Sequence, residues 1–196
     1  MLSNIKNYDI ILGSSSPRRK ELLAQLNINF NIITNDTPED FPEKINKKEI
    51  AIFLSKKKCN DLCNSIQELK DNFLLITADT IVLLDNMILN KPKDTKEAYH
   101  MLSQLSDTSH KVITGVSIKT KQQHILFSET STVTFKKLLK EEITYYINNY
   151  NPLDKAGGYG VQDWIGLVGI KHISGSYSNI VGLPLEKLYE KLKSIK

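Results

Sequence analysis

The chain has 196 residues, of which 40% are hydrophobic, so it can bury a core as one domain, or as one elongated domain with two lobes. Its formal net charge of +4 is spread along the sequence with no basic block among aromatic residues, which suits an anionic small molecule and argues against stable nucleic-acid binding. No stretch is long and apolar enough to span a membrane, and the polar start lacks the apolar run of a signal peptide, so we expect a soluble, cytoplasmic protein.

Apolar periodicity and turn residues predict helices that alternate with strands. In chain order they predict a strand at 9–13, a helix at 17–26, a strand at 30–34, a loop at 35–46, a helix at 48–63, a strand at 73–84, a hairpin strand at 87–89, a helix at 94–105, strands at 112–119 and 124–135, a helix at 141–149, a loop at 151–160, a strand at 165–173 and a helix at 185–195. Because hairpins interrupt the alternation, we expect an α/β fold with a mixed twisted β-sheet flanked by helices.

The spacing of cysteine and histidine gives no zinc site. Cys59 and Cys63 stand four residues apart on a predicted helix, and the four histidines share no ligand spacing with them or with each other. We expect both cysteines to be reduced thiols, and no histidine is assigned a catalytic role.

Residues 13–19 read Gly-Ser-Ser-Ser-Pro-Arg-Arg and connect the first predicted strand to the first predicted helix. Ser16 is a typical N-cap, and Pro17 fits the first helical position. Arg18 and Arg19 then lie in the first turn, where cations are disfavoured unless an anion neutralises them. The segment indicates a phosphate site, and the alternative is a capped helix with two solvated arginines.

Asp79 interrupts the apolar strand predicted over residues 73–84. Burying an unpaired carboxylate costs several kcal/mol, so Asp79 must meet a cation, a metal ion or hydrogen-bond donors. A functional carboxylate is the favoured interpretation, because perturbed carboxylates collect at functional sites. The alternative is a structural aspartate that pairs with a lysine or marks a break in the strand.

Three further charged residues belong to the same hypothesis. Lys58 falls on the line of Ile50, Leu54 and Leu62 along one helix face, so its ammonium points inward and needs an anion. Lys91 leaves the hairpin before Pro92 and is equally well read as a solvated turn lysine. Glu39 lies in a loop and gains importance only if it joins Asp79 on a magnesium or manganese ion.

A glycine-rich loop precedes Gln162, whose carboxamide offers both a donor and an acceptor for a base edge. With it, five segments occur in a fixed order: Ser14-x-Ser16-Pro17-Arg18-Arg19-x-x-Leu22-Leu23, Thr77-Ala78-Asp79-Thr80, Lys91-Pro92, Asp154-Lys155-Ala156-Gly157-x-Tyr159-Gly160-x-Gln162 and Gly175-Ser176-x-x-Asn179-x-x-Gly182-Leu183-Pro184. From about Ile10 to Ile195 the chain resembles the Maf family of nucleoside triphosphate pyrophosphatases. The fourth segment is similar to the branch that acts on dTTP and UTP rather than the branch that prefers 7-methyl-GTP.

The resemblance implies an elongated Maf/ITPase-like α/β fold with a deep central cleft, often a homodimer. It also implies that dTTP, UTP and modified pyrimidine nucleotides are hydrolysed to the monophosphate and pyrophosphate, with Mg²⁺ or Mn²⁺ as the cofactor. Carried over by position, Asp79 is the catalytic acid/base; Arg18, Thr80 and Gln162 govern substrate choice; Ser14, Arg19, Lys58 and Lys91 bind phosphate; and Glu39 with Asp79 binds metal.

The chain departs from the family pattern at several positions. Gly13 and Cys59 stand where alanine is usual, Asn90 where a glycine or acidic residue is usual, and Pro38 where an aspartate usually precedes Glu39. Two other functions stay open at this point. One is a nucleotide-binding regulator of cell division or septum formation with incidental hydrolysis, and the other is non-specific RNA binding.

Overall fold

The computed structural model describes residues 2–66 and 69–196, in which seven strands, seven α-helices and three short 3-10 helices are seen. The strands are β1 (Asp9–Leu12), β2 (Asn31–Ile32), β3 (Phe73–Leu84), β4 (Met87–Leu89), β5 (Ser109–Lys119), β6 (His124–Phe135) and β7 (Ile170–Ser174). The α-helices are α1 (Pro17–Ala24), α2 (Ile50–Ser65), α3 (Thr95–Leu105), α4 (Lys140–Asn149), α5 (Trp164–Gly169), α6 (Tyr177–Val181) and α7 (Leu185–Lys193). The 3-10 helices are Ser3–Ile5, Lys47–Glu49 and Ala156–Gly158.

The strands form one mixed sheet in the order β2-β1-β3-β5-β6-β7, with β4 paired to β3. β1 is parallel to both β2 and β3, whereas β3 with β4 and β6 with β7 are antiparallel. The predicted α/β class with a mixed sheet flanked by helices is therefore confirmed. Of the described helices, none is both long and apolar enough to cross a bilayer.

The chain divides into two compact units. The first comprises Met1–Asp79, Thr114–Glu129 and Gly182–Lys196, and the second comprises Thr80–Ile113 and Thr130–Val181. The first unit buries β1, the first half of β3 and one face of α2, and the second buries one face of α3 together with Phe135 and Tyr146.

The first unit fixes α2 tightly against the sheet. A Cβ added to Gly115 of β5 would lie 2.3 Å from the backbone carbonyl carbon and oxygen of Ala51, so only glycine permits this approach. One turn further along α2, the Ser55 carbonyl accepts a hydrogen bond from the Thr77 hydroxyl of β3 at 2.7 Å. These contacts lock the rotation of α2 relative to β3 and direct the face that carries Lys58 toward the sheet.

Most element bounds lie within two residues of the sequence prediction, and β3 and β6 match it at both ends. The predicted hairpin is also confirmed, because Leu84 pairs with Met87 across a two-residue loop. Asp85 in that loop has a φ of +49°, the left-handed conformation that short hairpin loops require.

The prediction of a strand over residues 165–173 is wrong in its first half, where α5 lies. The helix begins because the Asp163 carbonyl accepts hydrogen bonds from the N–H groups of Gly166 and Leu167, at 2.9 and 3.1 Å. Leu167 is 75% exposed whereas Ile165 and Gly166 are buried, which is the one-sided pattern of a helix. A short apolar run of this length fits a strand or a buried helix equally well by periodicity.

Candidate active site

The connection between β1 and α1 is built by two serines. Ser16 caps α1, accepting a hydrogen bond from the Arg19 N–H at 3.4 Å, and Pro17 occupies the first turn as predicted. Ser14 is buried, and its hydroxyl oxygen accepts from the Ser16 N–H at 3.3 Å and from Arg19 Nη1 at 3.4 Å. The turn therefore holds Arg19 toward the interior of the first unit.

Arg19 anchors β3 at the residue before Asp79. Its Nε donates to the Gly182 carbonyl and its Nη1 donates to the Ala78 carbonyl, both at 2.8 Å. Burial is the largest influence and lowers the pKa of Arg19, while the nearby Asp79 charge opposes that shift. The guanidinium thus places a positive charge beside Asp79 and fixes the residue that precedes it.

Asp79 meets the cation that its burial requires. Its side chain is 8% exposed, and Oδ1 lies 2.5 Å from Lys58 Nζ. The Lys58 side chain is itself only 19% exposed, so the inward orientation expected from its apolar helix face agrees with the structure. The pair is charge-assisted and largely shielded from water.

Glu39 completes this cluster from the loop between β2 and α2. Its Oε1 lies 2.7 Å from the same Lys58 Nζ, and its side chain is 46% exposed. Two carboxylates from distant segments therefore converge on one ammonium.

The oxygen donors of Glu39 and Asp79 are of the type that Mg²⁺ and Mn²⁺ prefer. Within residues 2–66 and 69–196, no group of three or more His, Cys, Asp or Glu side chains is placed to hold a metal ion. A pair of carboxylates still fits a magnesium ion, which commonly takes one or two carboxylates and completes its shell with water and substrate phosphates. The donor set is thus compatible with an ion that arrives with a triphosphate.

The electrostatic balance at Asp79 makes it a stronger base than an ordinary aspartate. Burial is the largest influence and raises the pKa of Asp79, the Lys58 and Arg19 charges lower it, and the Glu39 charge raises it slightly further. A carboxylate in this balance can accept a proton more readily than a solvated one.

The remaining candidates are half-buried or exposed residues of the two units. Arg18 is half-buried in the first turn of α1 and adds its charge next to Arg19. Thr80 follows Asp79 in β3 as the first residue of the second unit and is half-buried. Lys91 and Gln162 are exposed residues of the second unit.

The second unit joins the segment of Lys91 to the glycine-rich loop. The N–H of Gly157 donates to the Asn90 carbonyl at 3.1 Å. Gly157 and Gly158 have φ values of +72° and +71°, which is the left-handed conformation that the glycine content predicts. The loop then reaches Gln162 in a tight turn.

Two contributors to these sites were missed by reasoning from sequence. The Gly182 carbonyl that holds Arg19 is a backbone group and leaves no side-chain signal. Tyr146, whose hydroxyl binds the turn that contains Gln162, could have been noticed because Ile143 and Tyr146 lie three apart on the buried face of α4. A buried tyrosine hydroxyl nearly always has a hydrogen-bond partner.

The chain is similar in sequence to known proteins over nearly its whole length. The chain is 47% identical to the dTTP/UTP pyrophosphatase of Parabacteroides distasonis over 98% of this chain and 99% of that protein. It is 47% identical to the protein of the same name from Bacteroides thetaiotaomicron over the full length of both, and 46% identical to that of Porphyromonas gingivalis over 98% and 97%.

Among solved structures, the Staphylococcus aureus Ham1 protein aligns with a TM-score of 0.46 and 14% identity, covering 93% of this chain and 99% of that one. That likeness carries no argument about activity. The family model described as Maf-like protein matches residues 9–195. This chain belongs to the Maf family.

Proposed function

We propose that the protein is a nucleoside triphosphate pyrophosphatase that hydrolyses dTTP and UTP, as well as modified pyrimidine nucleotides, to the monophosphate and pyrophosphate. The observation that carries this proposal is the buried Asp79 held 2.5 Å from Lys58, in a chain 47% identical over nearly its whole length to a dTTP/UTP pyrophosphatase. An ionised carboxylate beside two cations is suited to activate water next to a phosphate group.

The reaction is an in-line attack of water on the α-phosphorus. The new bond joins the water oxygen to the α-phosphorus, the bond to the bridging oxygen breaks, and pyrophosphate leaves with that oxygen. Asp79 orients the water and accepts its proton at a carboxylate oxygen. The raised pKa of Asp79 favours this role, while Lys58 and Arg19 keep the carboxylate ionised before the reaction.

The triphosphate is bound by Ser14, Arg19, Lys58 and Lys91. Lys58 has three N–H donors, of which the two carboxylates take two, so one remains for a phosphate oxygen. Positive charge near the leaving pyrophosphate lowers the barrier, because phosphoryl transfer depends chiefly on positioning and electrostatic stabilisation.

Glu39 and Asp79 would hold a divalent ion, Mg²⁺ or Mn²⁺, through their carboxylate oxygens. When bound, the ion neutralises negative charge on the phosphate oxygens and orients them. Arg18, Thr80 and Gln162 determine which nucleotide is accepted, and Gln162 reads the base through its carboxamide.

A panel of nucleotides tests this function. Purified protein is incubated with canonical and modified triphosphates and either Mg²⁺ or Mn²⁺, and the products are separated. We expect monophosphate and pyrophosphate in equal amounts, fastest with dTTP and UTP. Tight nucleotide binding with negligible turnover would instead support a regulator of cell division or septum formation, and release of inorganic phosphate would contradict cleavage at the α–β bond.

We also propose that the enzyme forms a homodimer and acts in the cytoplasm, where the nucleotide pool lies. Analytical ultracentrifugation of the purified chain tests the first proposal, with a single species of twice the chain mass as the expected result. Fractionation of the producing cells tests the second.

A further inference from the structure

Gln162 lies in a tight turn of the second unit. The Asp163 N–H donates to the Gly160 carbonyl at 3.1 Å, which closes a four-residue turn with Gln162 at its third position. Gly160 and Val161 are buried, whereas Gln162 is exposed. The turn therefore presents one side chain, and the position of that side chain depends on what holds the turn.

One hydroxyl holds the turn from both sides of Gln162. The Tyr146 hydroxyl accepts a hydrogen bond from the Gly160 N–H at 3.2 Å and donates to Asp163 Oδ2 at 2.7 Å. Tyr146 belongs to α4 and is completely buried, and its ring stacks on that of Tyr150 with 5.3 Å between the ring centroids. The oxygen that spans the turn is thus fixed by a helix rather than by a loop.

The state of this hydroxyl suits its two bonds. Burial, followed by the hydrogen bond and charge of Asp163, raises the pKa of Tyr146, so the hydroxyl keeps its proton and can donate. Lys155 Nζ lies 3.4 Å from the same Asp163 Oδ2, so this carboxylate oxygen also contacts a cation.

Close packing restricts the turn further. A Cβ added to Gly166 of α5 would lie 2.3 Å from the Val161 carbonyl oxygen, so this helix rests directly on the turn backbone. A Cβ added to Gly160 would lie 2.5 Å from Asp163 Oδ2, so the carboxylate lies against the Gly160 backbone. The turn is therefore restrained both by its packing against α5 and by the hydrogen bonds of Tyr146.

We propose that Tyr146 is a positioning residue for nucleotide choice, because its hydroxyl bonds fix the turn that presents Gln162 to the base. This inference rests on the proposed function of Gln162 and adds the residue that makes its reading selective. A carboxamide separates base edges by the placement of one donor and one acceptor, so a shift of the turn weakens that discrimination while the phosphate ligands stay unchanged.

The test uses Tyr146→Phe, which removes one oxygen and keeps the ring, and Tyr145→Phe as the matched control. Tyr145 belongs to the same helix, is 48% exposed and packs its ring edge-on against Trp164 at 4.8 Å. kcat and KM are measured for dTTP, dCTP and dATP by pyrophosphate release, and Gln162→Ala is measured alone and with Tyr146→Phe.

We expect Tyr146→Phe to raise KM for dTTP about tenfold with kcat within about twofold, since contacts to the base are kept from ground state to transition state. The preference for dTTP over dCTP and dATP should fall by a similar factor, and Tyr145→Phe should match the wild type. In the Gln162→Ala background, Tyr146→Phe should add nothing. Amide hydrogen exchange at Gly160 should accelerate in Tyr146→Phe, because its acceptor is lost.

Other outcomes overturn the inference in distinguishable ways. If Gln162→Ala changes nucleotide preference but Tyr146→Phe does not, the positioning role is wrong and the base-reading role stands. If Tyr146→Phe lowers kcat equally for every nucleotide, the residue is merely structural. If Gln162→Ala leaves KM and preference unchanged, the base-reading proposal fails and the inference fails with it. A wild-type protein without turnover would contradict the proposed function itself.

Discussion

Replacement of Lys58 by methionine tests the charge balance around Asp79 most severely. The variant keeps a long apolar stem on α2 but removes the ammonium that lies 2.5 Å from Asp79 and 2.7 Å from Glu39. Asp79 is 8% exposed, so its charge is left in a poorly hydrated place with Arg19 as the nearby cation. Loss of one partner from a buried ion pair costs about 3–5 kcal/mol, and we expect about 3 kcal/mol because Arg19 remains.

The loss of stability in Lys58→Met should depend on pH in a defined direction. Burial raises the pKa of Asp79 in the folded protein above its unfolded value, so the folded state takes up this proton more readily and ionisation of Asp79 opposes folding as the pH rises. Lys58 is the largest influence that lowers the pKa of Asp79, so its removal raises that pKa further. The stability deficit of Lys58→Met should be greatest at alkaline pH and shrink toward acidic pH as Asp79 becomes protonated.

Urea unfolding of wild type and variant across this pH range measures the deficit. Lys57→Met is the matched control, because the neighbouring Lys57 pairs with Asp40, whose side chain is 78% exposed, and little stability should be lost. The double variant Lys58→Met with Asp79→Asn should recover much of the deficit, since no buried charge is then left alone. A deficit that equals the control, or that grows at low pH, would refute the reasoning.

Three further predictions concern packing and protonation. Gly115→Ala should lose more than about 4 kcal/mol in urea unfolding, because its Cβ meets the backbone of Ala51 at 2.3 Å, and near-normal stability would contradict the contact. Burial raises the pKa of the Cys59 thiol to about 11, so a disulfide reagent at neutral pH should modify only Cys63 in the native protein, and rapid reaction of both thiols would contradict that burial. Burial lowers the pKa of His110 from 6.5 to about 4, so the folded state binds this proton less readily, and the stability present above pH 6.5 falls as the pH drops toward 4. The variant His110→Gln should therefore lose about 3 kcal/mol less stability over this pH range than the wild type. An unchanged dependence of stability on pH would show that His110 is not the source of the acid sensitivity.

The contact between Asp79 and Lys58 could be anticipated from sequence because both residues break apolar patterns. A carboxylate inside a buried strand and an ammonium on the apolar face of a helix each require a partner of opposite charge, and each can serve as the partner of the other. The capped start of α1 could be predicted for the same kind of reason, since Ser16 and Pro17 have strong positional preferences.

Other features leave no such signal. Arg19 finds its partners at the carbonyls of Ala78 and Gly182, which are 59 and 163 residues away, and a backbone carbonyl looks the same in every residue. Glu39 lies in a loop, where a carboxylate is usually solvated, so its contact with Lys58 follows only from the folded path of that loop. The strand predicted in place of α5 failed because a six-residue apolar segment with two glycines does not distinguish one helical turn from a strand.

The most direct measurement compares Asp79→Asn with the wild type in both nucleotide binding and pyrophosphate release from dTTP. The substitution keeps the shape of the side chain and removes its basicity, so we expect dTTP to bind within a fewfold of wild type while release slows by at least about 100-fold. Release of pyrophosphate at a rate near that of the wild type would contradict the assignment of Asp79 as the residue that activates water.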